Sequence, residues 1–150
     1  MSAIANITVF DGAASPVSHT LVPESVSREK NVVTAVWREK LASVPQEGQV
    51  TLTTKMELLK SGVYRTERRL VVPVMESISG QNAAGYTAAP KVAYENTSIL
   101  VGLFSRRSDV TGRRLVRQMG VNLDNNVSTS VAAATAGPIP ELFDLLVSPT

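Results

Sequence analysis

Across residues 49–75 the chain alternates with a period of two. In QVTLTTKMELL, Val50, Leu52, Met56 and Leu58 fall on one side, and Thr51, Thr53, Lys55 and Glu57 on the other. A strand produces this pattern because successive side chains point to opposite faces of a sheet. The stretch VYRTERRLVVPVM repeats it in its outer half, with Leu70, Val72 and Val74 opposing Arg69, Val71 and Pro73. Lys60-Ser61-Gly62 between the arms supplies a turn. The pattern predicts a long hairpin with an apolar face for a core and a hydroxyl-rich, basic face for a ligand.

The flanks extend this sheet. Residues 6–10 read as a short strand, Asp11-Gly12 and Ser15-Pro16 as turn chemistry, and 17–22 as the returning strand, stopped by Pro23. Residues 24–31 are polar and read as a connector. Residues 31–39 form a β-branched strand whose Trp37 belongs in the core. Residues 76–90 hold Gly80, Gly85, Tyr86 and Pro90 without periodicity and read as a long loop. A further strand spans 91–104. Tyr94, Asn96 and Ser98 lie on one side of it, and Thr97, Ile99, Val101 and Leu103 on the other. The period then changes: Ser108 is the expected cap of a helix and Asp109 suits the positive end of its dipole, with Val110, Leu115, Val116 and Met119 on the apolar side and Gly120 as the expected stop. Arg113, Arg114 and Arg117, with Arg106 and Arg107 before them, read as a solvated or inter-helix charged face. No pattern assigns residues 124–136. Residues 138–147 read as a short helix with Pro140 in its first turn and Leu142, Leu145 and Leu146 on one face.

Strands followed by helices give an α+β fold: an N-terminal β-hairpin (1–23), an antiparallel five-stranded sheet (31–104) and a C-terminal helical region (108–150), within one domain of 1–150. One helix and a short second one are too small to cover such a sheet. Helices reaching across to a second copy in an isologous dimer would remove the deficit.

Composition narrows the chemistry. There is no cysteine and one histidine, so disulfides, thiolate metal sites and a multi-histidine metal site drop out, and a Ser-His-Asp relay is hard to build. No nucleophile–base pair stands out, which argues against an enzyme; no cofactor or metal is expected. For His19 the expected role is structural, because no acid or nucleophile pattern accompanies it. The loop lacks the Gly-Lys-Ser/Thr of a phosphate-binding loop. Neither an apolar run of about 18–20 residues nor a signal peptide is read, so no membrane partner is expected. Net charge is only +2, so affinity for nucleic acid would need local clustering of Arg and Lys. Specific RNA readers combine aromatic stacking and polar groups on a sheet with basic contacts to phosphate.

These segments together resemble the coat proteins of single-stranded RNA bacteriophages, the leviviruses. The likeness rests on the Ile7-Thr-Val-Phe-Asp-Gly12 hairpin and on the strand from Val32 to Trp37. It also rests on the arms Val50-Thr-Leu-Thr53 and Arg69-Leu-Val-Val-Pro73, and on Tyr94-Glu-Asn-Thr-Ser98 running to Phe104 and Ser108-Asp109. Pro73 before the long loop is the best anchor. The resemblance implies an interlocked homodimer with a continuous ten-stranded sheet, assembling into an icosahedral shell. It implies that the inner sheet face binds a hairpin of single-stranded genomic RNA, for packaging and for translational repression of the replicase. A minor maturation protein would join the virion, assembled in the bacterial host cytoplasm. Thr51 and Thr53 match small polar RNA contacts; Lys55, Arg65 and Arg69 match phosphate contacts. Tyr94 matches a stacking ring and Asn96 an amide contact. Gly80, Gly85, Tyr86 and Pro90 fall in the loop that joins dimers around the shell axes. Glu67 and Ser98 depart from the pattern, so a different hairpin sequence is expected, and Arg68 on the helix-facing side is unexplained. The alternative is a non-assembling dimeric RNA-binding regulator.

Overall fold

The computed structural model describes residues 4–77, 80, 84–129 and 131–150. Six strands follow one another as a meander in a single antiparallel sheet: β1 (Ile7–Phe10), β2 (Ser18–Glu29), β3 (Val32–Glu39), β4 (Thr51–Leu58), β5 (Val63–Met75) and β6 (Val92–Ser105). Helix α1 (Val110–Asp124) follows. The chain then ends in one α turn, Pro138–Pro140, and a π turn, Glu141–Leu145.

The expected hairpin at 49–75 is β4–β5, closed by Leu59 N–H donating to Val63 O at 2.9 Å, with Gly62 at φ 78° where a side chain would be strained. Residues 31–104 hold four strands, not the expected five, and the N-terminal hairpin is not separate from them: its two strands bring the sheet to six. Pro23 does not end β2, and residues 24–29 are strand, not connector. Pro23 keeps its place opposite Trp37, a bulge leaves Glu24 out of the pairing, and the strand resumes from Ser25↔Val36 to Glu29↔Val32.

One face of the sheet carries the core. Leu21, Ala35, Trp37 and Leu52 are buried there, covered by Ile4, Ile7 and Ile139. Trp37 is fully enclosed and its Nε1 donates to Ala5 O at 2.9 Å, the partner a buried indole requires. Further along the same face Phe104 meets Phe143 edge-on, with ring centroids 6.2 Å apart, beside Leu142. Gly102, one rung before Phe104, leaves the space into which that ring folds.

Helix α1 begins where expected, but its cap is Asp109, whose Oδ1 accepts from Gly112 N–H at 2.8 Å. Ser108 instead donates to Ser105 O at 2.7 Å and accepts from Arg113. Gly120 does not stop the helix, which runs four residues further, to Asp124. In the C-terminal turn the buried residues are Leu142, Phe143 and Asp144, while Leu145 is exposed. The π turn bonds i to i+5, so the i, i+3, i+4 spacing that grouped Leu142, Leu145 and Leu146 does not hold. The charged face expected on α1 is in part an internal clamp. Arg113 Nε donates to Asp144 O at 2.7 Å, and Arg114 and Arg117 both pair with the Asp144 carboxylate.

Candidate nucleic-acid interface

Strand register sorts the polar side chains. On the face turned away from α1, four rungs cross from β3 to β6: Arg38–Thr51–Val71–Thr97, Val36–Thr53–Arg69–Ile99, Thr34–Lys55–Glu67–Val101 and Val32–Glu57–Arg65–Leu103. None of these side chains is buried. An antiparallel sheet covered on one side alone leaves a solvated second face of this kind. Thr51, Thr53, Lys55, Arg65 and Arg69 are therefore brought together as expected.

Tyr94 and Asn96 are not among them. Tyr94 stands opposite Val74 and Asn96 opposite Val72, on the face of Leu70, Leu52 and Trp37. Alternation within β6 separates Tyr94 from Ile99 correctly, but only the register against β5 tells which set shares a face with Arg69. That register seats Glu95, Thr97 and Ile99 on the open face. Thr34, Arg38 and Thr97 also belong to this face; the alternation of β3 carries the signal for the first two.

Charges on the open face are mostly matched. Arg65 Nη2 lies 2.6 Å from Glu67 and its Nη1 3.8 Å from Glu57, while Lys55 Nζ lies 3.5 Å from Glu57. Arg38 Nε pairs with Glu24 at 3.2 Å and its Nη1 donates to Gln46 O at 3.1 Å. Arg69 is exposed, and its side chain makes no hydrogen bond or ion pair among the described residues. Val32, Thr34, Lys55 and Glu57, with Glu29, Lys30 and Asn31, border an open depression of about 840 Å³ at the end of the face.

The helix-side face also holds polar groups. Arg68 Nη2 donates to Ser98 Oγ at 3.3 Å, while its buried Nε has no partner among the described residues. Arg68 lines a cleft of about 280 Å³ between α1 and strands β5–β6. His19 bridges the N-terminal hairpin to β3, with Nδ1 3.0 Å from Glu39 and Nε2 3.7 Å from Asp11. Among the described residues no group of three or more His, Asp or Glu side chains is arranged to hold a metal ion. The loop after β5 is closed at its base by Glu76 N–H donating to Lys91 O at 2.9 Å. Gly80 and Gly85 have positive φ, and Tyr86 and Pro90 are exposed.

The family model described as levivirus coat protein matches residues 2–137. Comparison with curated proteins finds no match. Among solved structures, the chain is similar to the subunit of the virus-like particle of bacteriophage EMS014, at 32% identity over 99% of both chains and a TM-score of 0.70. It is similar to that of Beihai levi-like virus 21, at 26% identity over 86% of this chain and 98% of the other, with a TM-score of 0.63. The bacteriophage GA capsid protein shares the fold, with a TM-score of 0.61 over 95% of both chains at 13% identity.

Proposed function

Because the chain belongs to the levivirus coat protein family and is therefore a phage capsid protein and not an enzyme, we propose that it builds its shell from homodimers and binds genomic RNA on the open face of its sheet. The observation that carries the RNA reading is the register: Thr51, Thr53, Lys55, Arg65 and Arg69 share the solvated face opposite the helix. In a shell that face turns inward, toward the genome. Hydroxyls and guanidinium planes suit unpaired nucleotides, which RNA readers bind by hydrogen bonds and by stacking on aromatic or arginine planes. Engagement of a genomic hairpin there would favour its packaging and repress translation of the replicase. A minor maturation protein would complete the virion in the host cytoplasm.

Dimer formation is supported by two unfinished surfaces. Among the described residues the outer edge of β6 has no neighbouring strand, and an unpaired edge fourteen residues long calls for a partner. Pairing β6 with its two-fold copy gives one continuous sheet with six strands from each protomer. On α1, Leu115, Val116, Met119 and Leu123 are each more than 60% exposed, an apolar stripe suited to the partner's helix-side face. Gly80, Gly85, Tyr86 and Pro90 would then make the contacts between dimers.

The RNA reading is tested by Arg69→Ala, which should weaken binding of packaged-RNA hairpins in a filter or anisotropy assay. It should also lower the salt slope by roughly 0.7, one phosphate contact. Tyr94→Ala, on the other face, should leave affinity unchanged. The reverse pair of results would move the binding surface to the helix side.

A further inference from the structure

On the open face the central hairpin carries four charges as a two-by-two checkerboard. Lys55 and Glu57 stand on β4, with Glu67 and Arg65 directly opposite them on β5. Each charge has opposite charges as its neighbours along the strand and across it. Arg65 is shared between Glu67 at 2.6 Å and Glu57 at 3.8 Å, and Glu57 is shared between Arg65 and Lys55. The side chains remain between 19% and 35% exposed, so a ligand can reach all four. One rung beyond, Arg69 stands between Thr53 and Ile99 without a carboxylate partner among the described residues. The basic character of the face is therefore uneven: one free guanidinium next to a block whose net charge is zero.

We propose that Glu57 and Glu67 are specificity-determining residues of the RNA face, holding Lys55 and Arg65 away from indiscriminate phosphate binding. The inference rests on the RNA reading above. A free surface cation gains affinity by exchanging condensed counterions for itself along the RNA backbone. A cation already paired with a carboxylate releases nothing of that kind. If phosphate takes Arg65, the displaced Glu67 is left beside it as a like charge. Bare backbone thus gains Arg69 and little else. The carboxylates accept hydrogen bonds only, so they reward donors: a base amino group or a 2′-hydroxyl on an unpaired nucleotide. The checkerboard selects for a folded RNA that presents such donors and against an arbitrary run of phosphates.

The test is the isosteric double variant Glu57→Gln, Glu67→Gln in the full chain, titrated by anisotropy against a short uridine oligonucleotide across a salt series. Two freed cations should steepen the slope of log affinity against log salt by roughly 1.4, at about 0.7 per contact. Over a fourfold salt range that is about a sevenfold larger loss of affinity than the unmodified chain shows. At low salt the variant should bind the oligonucleotide several-fold tighter. Glu67→Gln alone should give about half the change in slope, and it provides the measurement if the double variant folds poorly. A slope unchanged or shallower, with the unmodified chain still binding, overturns this inference and leaves the RNA reading intact. If neither the unmodified chain nor the variants bind RNA at any salt, the RNA reading falls and this inference with it.

Discussion

Asp144 is 1% exposed and takes two guanidiniums, Arg114 Nε at 3.2 Å and Arg117 Nε and Nη2 at 2.8 and 2.9 Å. Burial pushes its pKa up, but the hydrogen bonds and charges of Arg117 and Arg114 outweigh this and hold it below the ordinary 3.8. A carboxylate with a depressed folded pKa contributes stability above its unfolded pKa and loses it as pH falls through the folded value. The acid limb of unfolding should therefore include a proton taken up below pH 3.8, and Asp144→Asn should remove that uptake in urea titrations at stepped pH. Asp144→Ala at neutral pH leaves Arg117, whose side chain is 7% exposed, without its charge partner, and should cost about 3 kcal/mol by denaturant melt. Gly102 makes a different demand. A Cβ there would stand 2.6 Å from Phe104 Cε2 and 2.8 Å from Thr66 Oγ1. Gly102→Ala should destabilise by roughly 1–3 kcal/mol, because Phe104 must leave its contact with Phe143. Neither residue stood out in the sequence. Asp144 reads as one more polar residue on a short helix, and its partners lie about thirty positions earlier. Arg69 with its threonines was legible, since alternation over adjacent strands of one hairpin needs no distant register.

At the scale of elements, boundaries were readable where local chemistry fixes them and misread where tertiary pairing overrides it. Asp109 caps α1 because a carboxylate before a helix start satisfies orphan N–H groups whatever lies elsewhere. Gly120 costs only about 1 kcal/mol in a helix interior, too little to stop one that continues with good neighbours. Pro23 is tolerated because β2 can bulge beside it, and β3 recaptures the chain two residues on. The face of Tyr94 depended on how β6 slides against β5, which no single strand encodes. The exposed stripe of α1 is the element whose purpose the isolated chain leaves unmet. A double change of Leu115 and Met119 to Glu should leave the β-sheet circular dichroism intact, because neither side chain is buried in this chain. It should abolish dimers and particles in sedimentation velocity, since both would be carried into the partner's apolar face. Particles of normal size from this variant would contradict the interlocked arrangement.

For the whole molecule, the decisive economy is that the last thirteen residues serve both halves of the core. Ile139 packs against the Trp37 cluster and against the Phe104 cluster, so it joins them. Leu142 and Phe143 are buried in the second cluster, Asp144 clamps α1, and Pro149 is enclosed. Ile4 N–H donates to Thr150 O at 2.9 Å, so Ile4, which packs on the Trp37 cluster, is tied to this C-terminal segment. Losing Leu142 and Phe143 forfeits about 2 kcal/mol each, and leaving the Arg117 guanidinium without the Asp144 carboxylate costs about 3 more. The sum, on the order of 7 kcal/mol, is comparable to the whole stability of an ordinary domain. A chain lacking residues 138–150 should therefore show no soluble dimer by light scattering. Its single tryptophan should emit at longer wavelength, because the cover over Trp37 is thinned. A truncated chain that kept a cooperative melt and a blue-shifted Trp37 would mean that the sheet and N-terminal segment suffice alone. The C-terminal turn would then belong to assembly and not to the fold.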